Sequence, residues 1–111
     1  MRGLSDDARS EVDDFLKESE EDYVGLWQVV GAARDREATI ASVEGEVLDM
    51  VRALLANGLL VGNLTREGGF TPWADQHPDA VTGRIHAEWQ ALGKDPSIDD
   101  ICWFHLPRPP G

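Results

Sequence analysis

Lysine and arginine are in short supply, 10 against 21 aspartates and glutamates in 111 residues, which leaves a formal charge of −11. Nucleic acid and anionic membrane surfaces are bound through clustered basic side chains, and the chain has no such cluster. Cysteine is nearly absent. The lone Cys102 cannot close an intrachain disulfide, so nothing asks for an oxidising compartment and the cytoplasm is the expected location. Long apolar runs are missing too, each being far short of the roughly 20 residues needed to cross a bilayer. The start, Met1-Arg2-Gly3-Leu4-Ser5-Asp6-Asp7, turns acidic at once and lacks the apolar stretch of a secretory signal. Gly62, Gly68 and Gly69 are not followed by Gly-Lys-Ser/Thr, which excludes a phosphate-binding loop of that type.

What is present is an ordinary globular composition, 41% hydrophobic and 28% charged, with four tryptophans and three phenylalanines to anchor a modest core. Residues 1–106 are read as a single α+β domain and residues 107–111 as a disordered tail. The acids are unevenly spread, with nine of them between Asp6 and Asp22.

Ser5 to Glu18 predicts an amphipathic helix, capped by Ser5 and carrying Leu4, Ala8, Val12, Phe15 and Leu16 on its buried stripe. Ser19-Glu20-Glu21-Asp22 resembles a capping box with Asp in place of Glu, marking either a fresh start or a frayed join, and a second helix follows to about Arg34. Tyr23, Leu26, Trp27 and Val30 form its core face, widened by Val24 and Val29, which marks it as the central helix. After the charged connection Arg34-Asp35-Arg36-Glu37, Ala38 to Ala41 reads as a short extended stretch. Ser42 then caps a third helix with Val47, Leu48, Val51, Leu54 and Leu55 at helical spacing, stopped by Asn57-Gly58. Leu59 to Leu64 and Phe70 to Trp73 predict a β-hairpin returning through Gly68-Gly69, and Pro72 places its second strand at an edge. Pro78 opens a fourth helix with Val81, Ile85, Trp89 and Leu92 inward and Gly93 as its cap. Ile101 to Leu106 reads as a final strand. About four helices on a small, mostly antiparallel sheet result.

The order helix, helix, helix, hairpin resembles a winged-helix domain over roughly residues 20–73. Ala53-Leu54-Leu55-Ala56-Asn57-Gly58-Leu59-Leu60-Val61, a third helix ending in a turn before the hairpin, carries that resemblance. It implies a third helix that enters a DNA groove, and hence a transcriptional regulator or regulator accessory as the alternative function. The exposed side of that helix argues against it, since Glu44, Glu46 and Asp49 outnumber Arg52 and would repel phosphate.

No residue set supports catalysis. Cys102, between Ile101 and Trp103, has an apolar setting that leaves a thiol inert, and Ser5, Ser19 and Ser42 serve as helix caps. His77, His86, Cys102 and His105 do not share a spacing that converges on one metal, so neither metal nor cofactor is expected. The expectation is a small acidic non-enzymatic domain that binds a basic protein, similar in size and charge to bacterial immunity proteins and acidic antitoxins. The predicted contact residues are Glu18, Glu20, Glu21 and Asp22, where the first two helices join, together with Phe70 and Trp73 as aromatic anchors.

Overall fold

The computed structural model describes residues 4–36, 42–98 and 100–107, an α+β arrangement of helices against an antiparallel sheet. The extended stretch expected at 38–41 and the tail at 108–111 lie outside the described residues. Helix α1 (Asp6–Glu18) starts where the Ala8 N–H donates to the Ser5 hydroxyl at 3.1 Å, with Asp6 and Asp7 beside the positive end of its dipole. Ala8 and Val12 are buried, and Leu4, Phe15 and Leu16 pack against the core from the same stripe.

The second helix begins later than its apolar pattern predicts. Ser19 closes α1 rather than opening a new helix, its hydroxyl donating to the Leu16 carbonyl at 2.6 Å. Val24–Gly25 then forms a two-residue strand, β1, and α2 runs Leu26–Asp35. The physical reason is a partner far along the chain: Val24 pairs with Phe104 and Gly25 with Trp103. Gln28 supplies the cap, its Oε1 accepting the Gly25 N–H at 2.8 Å.

Helix α3 (Val43–Ala56) is capped by Ser42, whose hydroxyl accepts the Gly45 N–H at 3.1 Å. It ends at Asn57, after which Gly58 turns the chain with φ +94°. This helix, not α2, is central: it packs on α1, on α2 and on α4 (Pro78–Leu92). Val47, Met50, Val51 and Leu54 are buried in it, and only Gly45, Arg52 and Ala56 are exposed along its length. Arg36, following α2, ties this layer together by pairing with Glu11 of α1 and, at 2.9 Å, with Glu46 of α3.

Strands β2 (Leu60–Leu64) and β3 (Phe70–Pro72) form the expected hairpin, with Leu64 opposite Phe70 and Gly62 opposite Pro72. Of the two glycines in its turn only Gly68 needs a left-handed backbone, at φ +84°. Pro72 does lie on an edge strand. Beyond it the Gln76 side chain continues the ladder, accepting the Val61 N–H and donating to the Val61 carbonyl, both at 2.8 Å. Helix α4 begins at Pro78 under an Asp79 N–H to His77 Nδ1 bond of 3.1 Å and ends at Gly93 with φ +73°.

The last strand, β4 (Trp103–His105), inserts between β1 and β2, giving the order β1-β4-β2-β3. A helix–helix–helix–hairpin layout alone does not contain that insertion, and it ties the end of the chain to the α1–α2 junction. The strand is shorter than expected because Ile101 sits at φ +65°. A β-branched residue is strained there by about 1–2 kcal/mol, and an extended ladder cannot begin until the chain leaves that conformation. Just before it, the Ser97 N–H and hydroxyl both donate to Asp100 Oδ2 at 2.9 Å and hold that exposed carboxyl below its usual range. Val24, Val61 and Phe104 point from the sheet into the helical core. Among the described residues no helix is long and apolar enough to cross a membrane.

Candidate functional site

Side chains alternate between the faces of a strand, so the face away from Val24, Val61 and Phe104 is formed by their neighbours. Tyr23, Leu60, Leu64, Phe70, Trp103 and His105 are all half-buried. Two glycines on this face make room for the rings. A Cβ built at Gly62 would come 2.8 Å from Phe70 Cζ and 2.3 Å from the Thr71 carbonyl oxygen. One built at Gly25 would come 2.5 Å from Trp27 Cδ1 and 3.1 Å from Trp103 Cζ3. With Gly62 flat, the Phe70 ring stacks on Tyr23 at 5.7 Å and meets His105 at 5.1 Å. Tyr23 and His105 are themselves 5.1 Å apart.

A half-open cavity of about 180 Å³ adjoins these rings. Glu20, Glu21 and Asp22 line it together with Ser19, Tyr23, His105 and Leu106. The turn after α1 carries the acids there, since the Glu21 and Asp22 amides both donate back to the Glu18 carbonyl. Asp22 Oδ1 in turn accepts the Tyr23 N–H at 2.7 Å. The cavity thus sets three acidic residues beside part of a packed aromatic cluster.

The six residues expected to contact a partner therefore divide. Glu20, Glu21 and Asp22 lie together on the cavity, and Phe70 joins through its ring contacts. Glu18 is turned elsewhere: both its carboxylate oxygens accept from Gln28 Nε2 at 3.2 Å, bracing the residue that caps α2. Trp73 is only 7% exposed and belongs to the core. Its indole N–H donates to Asn63 Oδ1 at 2.7 Å, and the Arg84 guanidinium covers its ring at 3.7 Å. Tyr23 and His105 are what sequence reasoning missed. Tyr23 has the period of the helix core it was assigned to, and His105 drew attention only as a metal ligand. The alternation Trp103-Phe104-His105 was the available signal, because a buried Phe104 sends both neighbours to the opposite face.

Cys102 is 1% exposed, and burial, with a smaller contribution from Glu88, pushes its thiol pKa far up. Among the described residues no three His, Cys, Asp or Glu side chains gather as metal ligands. His77 caps α4, while His86 Nδ1 lies 2.9 Å from Glu44 Oε2 across the α3–α4 contact. Two further contacts join α3 to α4: Gln90 donates to Glu44, and Arg52 pairs with Asp79 at 2.8 Å.

No protein-family model, no curated protein and no solved structure matches this chain.

Proposed function

We propose that this protein is a non-enzymatic interaction domain that binds a basic protein partner in the cytoplasm and neutralises it by stoichiometric association, as an immunity or antitoxin-like protein would. The observation that carries this reading is the convergence of Glu20, Glu21 and Asp22 with Tyr23 and His105 on one cavity. A net charge of −11 steers a basic surface toward the molecule, and the acid-rimmed rings give the encounter a place to dock. Among the described residues, the burial of Cys102 and the packing of α3 against α1, α2 and α4 are consistent with the same reading.

The test is affinity capture from host extract at low salt with the intact protein and with a Glu20→Gln, Glu21→Gln variant. The expected result is a specifically retained basic protein whose recovery falls with the variant. Retained proteins no more basic than the extract, or recovery indifferent to the variant, would contradict the proposal.

A further inference from the structure

We infer that the Asn57–Gly58 bond joining α3 to β2 is a self-modification site, where the asparagine amide is exchanged for a carboxylate, and that the folded chain holds it closed until this joint opens. The sequence supplies the reactivity. Asparagine is a thermolabile residue, and a following glycine sets no side chain beside the backbone nitrogen that attacks it. The chain's only other asparagine, Asn63, precedes Leu64, whose branched side chain shields that nitrogen. Asn57 and Gly58 are both exposed, so water reaches the bond.

The reaction consumes water alone. The Gly58 backbone nitrogen gives up its proton to solvent hydroxide and attacks Cγ of Asn57. The new N–Cγ bond closes a cyclic imide, and the Cγ–Nδ2 bond breaks to release ammonia. One water then opens the imide. Cleavage of the new N–Cγ bond leaves aspartate; cleavage of the original peptide bond leaves isoaspartate, with the chain routed through the side chain. In either case an amide and a water have become a carboxylate and an ammonium ion.

The fold ties down both reacting groups. The Gly58 N–H donates to the Leu55 carbonyl at 3.0 Å and the Leu59 N–H to the Leu54 carbonyl at 3.3 Å, the paired bonds that close a helix through a left-handed glycine. Leu54 and Leu59 are both buried, which anchors this pairing in the core. The Asn57 side chain donates through Nδ2 to the Ala53 carbonyl at 2.8 Å. Ring closure has to break the Gly58 and Asn57 hydrogen bonds together, so it waits for the end of α3 to open. Neither product restores the joint. Aspartate lacks the Nδ2 donor and sets a negative charge at the negative end of the helix, and isoaspartate lengthens the backbone just where Gly58 and Leu59 reach back. A transient opening is thereby made permanent, between the central helix and the strand on which both β3 and β4 pair.

The experiment incubates the intact protein at mildly alkaline pH, folded in buffer and unfolded in guanidinium chloride, and follows peptide masses after digestion, with fragmentation that separates aspartate from isoaspartate. The unfolded chain is expected to exchange amide for carboxylate at Asn57 and not at Asn63. The folded protein is expected to convert at Asn57 at least about tenfold more slowly, as a joint held by core contacts requires. Unfolded Asn57→Gln, whose longer side chain does not readily close the ring, is expected to stay unmodified at that position, a comparison that does not depend on whether the variant folds. Converted protein, separated by its added negative charge, is expected to unfold at lower denaturant than the starting protein. Equal rates in the folded and unfolded protein, conversion of Asn57→Gln at the wild-type rate, or an unchanged midpoint after conversion would overturn the inference.

Discussion

Tyr23 and Phe70 stack with ring centroids 5.7 Å apart and planes 13° from parallel, although Phe70 lies on one edge strand and Tyr23 leads into the other. The contact exists because Gly62, between them, has no side chain. Gly62→Ala would press a methyl group into the Thr71 carbonyl and the Phe70 ring, and a backbone atom cannot swing aside. The expected cost is about 3 kcal/mol, the upper part of the range for overpacking, with loss of the β2–β3 pairing. Urea unfolding checks the energy, and the amide NMR shifts of β2 and β3 check the hairpin.

The tryptophans are expected to separate by burial. Trp89 is 8% exposed within the core, so Trp89→Ala is expected to cost about 3–5 kcal/mol. Trp27 has the helical spacing of a core residue but is only half-buried, and its indole N–H finds no acceptor among the described residues. Trp27→Phe removes that donor together with some packing, and the two changes oppose each other. The expected net effect is within about 1 kcal/mol of zero. Denaturant midpoints for the two variants test the difference.

Arg36 has an 11% exposed side chain and joins α1 to α3 through Glu11 and Glu46. Arg36→Met leaves those two carboxylates facing each other without their cation. The expected destabilisation is about 3 kcal/mol, since removing one partner of a largely buried pair leaves the other's charge uncompensated. Adding Glu46→Gln to Arg36→Met is expected to restore part of the loss, which a double-mutant cycle measures.

Cys102 is expected to resist alkylation at neutral pH until the protein unfolds, because burial raises its thiol pKa. The sign for stability follows. The folded value lies above the unfolded one, so the thiol's contribution is fully present below the unfolded pKa of about 8.5 and declines as pH rises past it. Comparing the pH dependence of unfolding for wild type and Cys102→Ala isolates this effect; the variant is expected to lose stability less steeply above that pH.

Local chemistry made most elements legible. Ser5, Ser42, Pro78 and Gly93 each mark a helix boundary through a cap that depends on nearby residues alone. The hairpin and the edge position of Pro72 were readable for the same reason. Strand β1 was not, since two residues have no period of their own and are extended only because β4 pairs with them. The same long-range insertion hides half of the site. The charge of Glu20, Glu21 and Asp22 is visible in the sequence, but the meeting of Tyr23 with His105 depends on a strand that arrives from the far end of the chain.

The most direct test of the central claim is a pair of association rates with the captured basic partner, for wild type and for the Glu20→Gln, Glu21→Gln variant, at low and high salt. Both residues are exposed, so the variant is expected to fold, which its thermal transition checks. The account predicts slower association for the variant at low salt and rates that converge as salt is added, because charge steering is screened beyond about 8 Å at physiological ionic strength. Equal rates at low salt from a correctly folded variant would contradict it.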